Sequence, residues 1–120
     1  MKVKINKILS SEKAITNLKN EKLSFNTSLK LKKNLENIQL VLDLYNESLK
    51  KLYEQFCEID NDKKSYKLKD ENKEEFLSEL SKLQNEEVEL DLLQFSNSEL
   101  ENITITTDDL FYIDWLLAND

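Results

Sequence analysis

Apolar residues recur at helical spacing through the longest patterned stretch of the chain, residues 28–58. Steps of four and three residues alternate between them, which is the heptad pattern of helices that pack along a seam. The seam positions are Leu31, Leu35, Ile38, Leu42, Tyr45, Leu49, Leu52, Phe56 and Ile59. Such a helix would extend roughly 45 Å at about 1.5 Å per residue. We therefore expect it to project from a compact domain or to lie along a second helix.

Five further apolar residues of this stretch lie off the seam: Leu29, Leu40, Val41, Leu44 and Tyr53. We expect them to widen the apolar face around the middle of the helix. A wide face favours packing within one chain over a two-stranded coiled coil. We therefore expect a monomer, with a dimeric coiled coil as the alternative.

Shorter patterns flank the long helix. Alternation of apolar and polar residues predicts brief strands beginning at Val3, at Tyr66 and at Glu87. The β-branched residues at 103–106 predict a further strand, and residues 60–65 predict a polar turn.

Capping residues mark the shorter helices. Ser10 or Ser11 can begin a helix before the long one, and Asp70 can begin a helix after it. Thr106 with Asp109 resembles a capping box in front of a last helix over residues 110–118. We expect a single α+β domain over residues 1–120, with one long helix and two or three shorter helices packed on a small, mainly antiparallel sheet.

Missing residue types exclude many kinds of enzyme. The chain has no Gly, Pro or His, and every one of its 17 basic residues is Lys. Without Gly there is no phosphate-binding glycine loop, and without His there is no Ser-His or Cys-His nucleophile pair. Cys57 is the only cysteine, so it cannot form an intramolecular disulfide. We expect no catalytic activity, no catalytic residues and no cofactor.

Charge is divided unevenly along the chain. Residues 1–57 carry 11 lysines and 6 acids, a net of +5, whereas residues 58–120 carry 6 lysines and 18 acids, a net of −12. Residues 86–120 hold 10 acids and no base. Self-repulsion in such a region lowers stability unless a partner uses the charge. A solvated acidic surface is the simpler interpretation.

The acidic region begins with NEEVELDLLQF at residues 85–95. On a strand, Glu87, Glu89 and Asp91 would project about 6.6 Å apart on one face, which is the scale of phosphates along a nucleic-acid strand. Carboxylates so placed could occupy a basic groove that normally holds nucleic acid. The predicted partner-binding residues are Glu86, Glu87, Glu89, Asp91, Glu99, Glu101, Asp108 and Asp109.

Metal sites and direct DNA binding are weaker interpretations. A calcium loop starting at Asp60 would place Lys64 and Ser65 where an oxygen ligand and a glycine are required. A magnesium site on the acidic strand would have no basic catalytic group beside it. Lysines of the long helix could form a basic patch for DNA, but they fit a solvated helix face. We expect no metal site and no direct nucleic-acid binding.

The order of features is similar to that of a known group of proteins. AITNLKNEKLSFNTSLKLKKNL leads into a long helix ending LYEQFCEID, followed by KSYKLKDENKEEFLSELSKLQNEEVELD. Over roughly residues 3–92 this resembles short uncharacterised phage and prophage proteins of low-GC Gram-positive bacteria. The resemblance implies a phage or mobile-element origin and carries over no functional residues.

These observations lead to two functional hypotheses. The first is a phage-type protein-binding module that acts in the host cytoplasm. It would inhibit a nucleic-acid-binding defence effector, as anti-CRISPR proteins do, through an acidic surface that mimics nucleic acid. The alternative is a structural or assembly adaptor that acts through its long, coiled-coil-like helix. The short, interrupted apolar stretch at the N-terminus fits neither a signal peptide nor a membrane span.

Overall fold

The fold combines one long helix with shorter helices and two small sheets. A computed structural model describes residues 1–60 and 65–118. Along the chain lie β1 (Lys2–Lys4), α1 (Ile5–Lys19), α2 (Phe25–Phe56), β2 (Cys57–Asp60), β3 (Ser65–Leu68), α3 (Lys73–Gln84), β4 (Glu87–Glu89) and α4 (Thr107–Tyr112). Single 3-10 turns occupy Asp70–Asn72, Asn97–Leu100 and Asp114–Leu116. The polar turn predicted at residues 60–65, with the calcium-loop residues Asn61 and Asp62, falls largely outside the described residues.

The long helix α2 is confirmed, at 32 residues. Ser24 caps it, because the Ser24 hydroxyl accepts a hydrogen bond from the Thr27 amide at 3.3 Å. The molecule measures 52 × 29 × 24 Å, and α2, about 48 Å long at 1.5 Å per residue, accounts for most of the longest dimension.

The heptad seam of α2 faces the interior of the same chain. Leu31, Ile38, Tyr45 and Phe56 are buried along it, and the seam leucines between them are half-buried. Ile59, predicted as the last seam position, lies in β2 instead and is 60% exposed, because the helix ends at Phe56. Three of the five off-seam residues do not widen the buried face: Leu29 is 38% exposed, and Leu40 and Leu44 are each 65% exposed.

The N-terminal segment differs from the prediction. The strand predicted from Val3 is limited to β1 (Lys2–Lys4), and α1 starts at Ile5 rather than at a serine cap. Buried Ile5, Ile8, Ala14, Ile15 and Leu18 follow helical spacing. Val3 and Ile5 are two residues apart, which is the spacing of a strand, but Ile5 belongs to the helical set that follows.

The predicted antiparallel pairing is confirmed, but it is divided between two separate sheets. β1 pairs with β4 and β2 pairs with β3, each pair antiparallel. The strand predicted over residues 87–92 stops at Glu89, and residues 103–106, all of them described, form no strand. Ile103 and Ile105 pack against the core from a loop instead.

The last helix is shorter than predicted. α4 ends at Tyr112 and a 3-10 turn follows at Asp114–Leu116. One half of its predicted capping box is found, since the Thr106 hydroxyl accepts from the Asp109 amide at 3.1 Å, whereas the Asp109 carboxylate accepts from Asn17. Asp70 begins a 3-10 turn, and Asn72 stands at the N-cap of α3. Phe95, Ile113 and Leu116 are fully buried, so the C-terminal segment completes the core formed by α1 and α2.

Candidate protein-binding surface

The acidic strand β4 lies beside a basic strand. In the β1–β4 ladder, Lys2 faces Glu89 and Lys4 faces Glu87, and residues directly opposed in an antiparallel pair share one face. The N-terminal ammonium also donates to Glu89 Oε1 at 2.6 Å. This ammonium, by hydrogen bond and by charge, and Lys2 to a smaller degree, hold the pKa of Glu89 below its ordinary value. The row of carboxylates is therefore opposed by cations that lie more than eighty residues away in the sequence.

Glu99 has a structural role. Its Oε1 accepts from Lys30 Nζ at 2.7 Å and from the Ser96 amide at 2.9 Å. Together with the Ser96 hydroxyl it forms a capping box for the 3-10 turn that follows. The hydrogen bond from Lys30, followed by that from the Ser96 backbone, lowers the pKa of Glu99. Because these contacts occupy Glu99, it is poorly placed to meet a partner.

The remaining predicted residues do not form one continuous row. Glu86, Asp91, Glu101 and Asp108 are exposed, but they lie on different segments. Asp109 Oδ2 accepts from Asn17 Nδ2 at 3.0 Å, and this contact ties α4 to α1. The structure thus brings Glu86, Glu87 and Glu89 together at one sheet and Asp108 and Asp109 together on α4.

Exposed aromatic side chains on α4 were missed in the sequence analysis. Phe111 is 68% exposed, Tyr112 is 47% exposed and Leu110 is 37% exposed. The signal for this was present: LFYIDWLL at residues 110–117 is apolar on every side of a helix, so a helix docked by one face must expose part of it. Ile113 and Leu116 take the buried positions.

Asp108 lies beside these aromatic residues. It precedes Phe111 by three residues and Tyr112 by four, and residues at these spacings are neighbours on a helix surface. An aromatic side chain surrounded by polar groups is typical of the energetic centres of protein interfaces. We refer to Asp108, Leu110, Phe111 and Tyr112 as the α4 surface.

Side-chain contacts hold α4 and the turn that follows it against α1. Trp115 Nε1 donates to Ser11 Oγ at 2.9 Å and to the Tyr112 carbonyl at 3.0 Å. Lys7 Nζ lies 3.0 Å from Asp114 Oδ1 and donates to the Phe111 carbonyl at 3.3 Å. Because of these contacts, the backbone that carries Phe111 and Tyr112 has a fixed position. A fixed backbone lowers the entropic cost of binding a partner.

Residues 1–60 and 65–118 contain no group of three or more acidic or cysteine side chains that could hold a metal ion. None of the helices in these ranges is long and apolar enough to cross a membrane. No protein-family model, no curated protein and no solved structure matches the chain.

Proposed function

We propose that this protein is a non-enzymatic, phage-type module that binds a host protein and blocks its nucleic-acid groove, in the manner of an anti-CRISPR. The observation that carries the proposal is the α4 surface, where Phe111, 68% exposed, stands beside Asp108. Both belong to residues 86–120, a segment of the sequence without a basic residue. Grooves for single-stranded nucleic acid combine cations for phosphates with surfaces on which bases stack. A carboxylate beside an exposed aromatic ring offers both features to such a groove.

The acidic charge supports binding in a second way. Residues 58–120 carry a net charge of −12, which attracts a basic partner over distances of about a Debye length and speeds association. On this proposal Glu86, Glu101 and Asp91 contribute long-range attraction, and the α4 surface makes the close contact. The partner is a basic, nucleic-acid-binding host protein, a CRISPR effector being one example, and the site of action is the host cytoplasm.

Reversal of charge on β4 is a poor test of this proposal. Lysines at positions 87 and 89 would face Lys4 and Lys2 across the ladder, and directly opposed like charges destabilise a sheet. A loss of binding would then be confused with a loss of fold. Asp108 and Phe111 are exposed and project from α4, so they can be changed with less effect on folding.

The experiment compares four variants in a pull-down from host lysate, with single-stranded DNA or RNA as competitor. Asp108→Lys and Phe111→Ala should each reduce capture of a nucleic-acid-binding protein by about tenfold, and the competitor should release it. Glu54→Lys and Leu40→Ala are matched controls on exposed positions of α2 and should capture normally. Equal capture by all four variants, or capture that nucleic acid does not compete, would refute the proposal.

One observation favours the adaptor alternative. Leu40 and Leu44 lie one helical turn apart on α2 and are each 65% exposed, so they could pack against another helix. In that case light scattering would find an oligomer that resists dilution and dissociates in the Leu40→Glu, Leu44→Glu double variant. Leu42→Glu would be unsuitable, because Leu42 packs against the core.

A further inference from the structure

A shallow cavity of about 450 Å³, largely open to solvent, lies where the start of α1 meets the C-terminal segment. Its lining includes Lys2, Lys4, Lys7, Asp114, Trp115 and Leu117. This volume falls within the range of sites for small organic ligands, roughly 300 to 1,000 Å³. Among its charged lining residues three lysines outnumber one aspartate, although the chain as a whole carries a net charge of −7.

The three lysines of the cavity differ in whether they form a salt bridge. Lys7 and Asp114 lie 3.0 Å apart and largely neutralise each other. Lys2 and Lys4 face Glu89 and Glu87 across the ladder, yet within the described ranges neither forms a salt bridge. Lys2 acts on Glu89 through charge without a salt bridge, so an anion in the cavity would compete with the β4 carboxylates for Lys2 and Lys4.

The backbone at the cavity adds positive potential. Lys4 is the N-cap residue of α1, its side chain makes no capping hydrogen bond, and the first turn contains no acid. The Ile5 amide is bonded to the Glu86 carbonyl at 3.0 Å, and the positive end of the helix dipole lies at this turn. This potential reinforces Lys2 and Lys4.

The part of the lining that comes from the C-terminal segment includes two apolar residues. Trp115 lines the cavity, and its Nε1 is held by Ser11 and by the Tyr112 carbonyl, so the indole has a fixed orientation. Leu117 is the second of them. A planar ring can stack on an indole face while its charged group reaches the lysines.

We propose that this cavity binds a small organic anion of the mononucleotide class. Lys2 and Lys4 bind the phosphate, and Trp115 contacts the base. The site is separate from the α4 surface, and its existence does not depend on the protein-binding function proposed above.

Fluorescence provides a direct test, because Trp115 is the only tryptophan in the chain. The full chain is titrated at low salt with adenosine monophosphate, with adenosine and with inorganic phosphate. Adenosine monophosphate should change the emission saturably at submillimolar to millimolar concentration. Adenosine and phosphate should each bind at least about tenfold more weakly, because each lacks one of the two contacts.

Variants assign the binding to the cavity. Lys2→Gln combined with Lys4→Gln should weaken adenosine monophosphate binding by at least about tenfold, and circular dichroism should show an unchanged fold. Lys50→Gln combined with Lys51→Gln, at exposed positions of α2, is the matched control and should bind as the parent does. Backbone amide shifts in NMR should locate the ligand at residues 2–7 and 114–117, whatever the fluorescence response.

Several results would overturn the proposal. One is the absence of saturable emission or amide shifts at millimolar adenosine monophosphate. Others are equal binding by the Lys2, Lys4 double variant and the parent, or an equal loss in the control pair, which would indicate attraction to net charge alone. Adenosine or phosphate binding as tightly as adenosine monophosphate would likewise refute the two-contact site.

Discussion

Asn34 forms two reciprocal hydrogen bonds with the backbone of Leu93. Its Nδ2 donates to the Leu93 carbonyl at 2.8 Å, and its Oδ1 accepts from the Leu93 amide at 2.9 Å. A neighbouring strand would offer the backbone the same donor and acceptor. Asn34 is 1% exposed, so a polar residue buried on α2 holds the extended segment that follows β4.

Replacement of Asn34 should be costly. In Asn34→Ala two backbone groups of Leu93 lose their partners in a partly buried place, which should lower the free energy of unfolding by about 2–3 kcal/mol. Asn37→Ala is the control, because Asn37 makes one bond, to the Asp91 carbonyl at 2.8 Å, and should cost under about 1 kcal/mol. Urea unfolding followed by circular dichroism measures both. Equal values for the two variants would contradict the role assigned to Asn34.

The two sides of α2 should respond differently to truncation. Ile38 is 4% exposed and Leu40 is 65% exposed. Ile38→Ala should lower the free energy of unfolding by about 2–4 kcal/mol, through lost burial and an added cavity. Leu40→Ala should change it by less than about 1 kcal/mol. The same urea experiment applies, and a large effect of Leu40→Ala in a concentration-dependent transition would instead indicate that a second copy covers this face.

The local features of the fold were predictable from local patterns. The seam of α2 repeats over four heptads, so both its existence and its extent were inferred within a few residues. The strand predicted at residues 103–106 failed because β-propensity does not supply a partner strand. Ile103 and Ile105 bury against the core without one.

The candidate sites depended on contacts that no local pattern reveals. In the β1–β4 ladder, Lys2 and Lys4 near the start of the chain pair with Glu89 and Glu87. The carboxylates of the acidic strand therefore face lysines, which the sequence pattern alone does not show. Glu99 was predicted to bind a partner, but its bonds to Lys30 and Ser96 give it a structural role. Phe111 was the exception, since its exposure follows from the all-round apolar pattern of residues 110–117.

Ser11 and Ser10 are adjacent in α1 but differ in burial and in their hydrogen bonds. Ser11 is fully buried; its Oγ accepts from Trp115 and lies 2.6 Å from the Lys7 carbonyl and 2.5 Å from that of Tyr112. A hydroxyl has one proton, so it donates to one of these carbonyls at a time. Ser11→Ala should therefore lower the free energy of unfolding by about 1–2 kcal/mol and alter the tryptophan emission.

Ser10→Ala is the control for this prediction. Ser10 is exposed and bonds to the Asn6 carbonyl within α1 at 2.8 Å. Alanine is the better helix former, so the change should be neutral or slightly stabilising, with no change in emission. A loss of stability as large as that of Ser11→Ala would mean that the position in α1, rather than the network at Trp115, determines the effect.

Glu99 should make the stability depend on pH in the acid range. Because Lys30 and Ser96 lower the pKa of Glu99 in the folded protein, its carboxylate stabilises the fold at pH values above its ordinary pKa, about 4.3. That contribution is lost as the pH falls through the lower, folded-state pKa.

The difference in unfolding free energy between the parent and Glu99→Gln should be constant above about pH 5 and should shrink below about pH 4. The side chain of Glu101 is exposed and forms no salt bridge in the described part of the chain. Glu101→Gln should therefore change the free energy by less than about 0.5 kcal/mol at neutral pH. A difference for Glu99→Gln that grows on acidification would have the wrong sign for a carboxylate stabilised by Lys30.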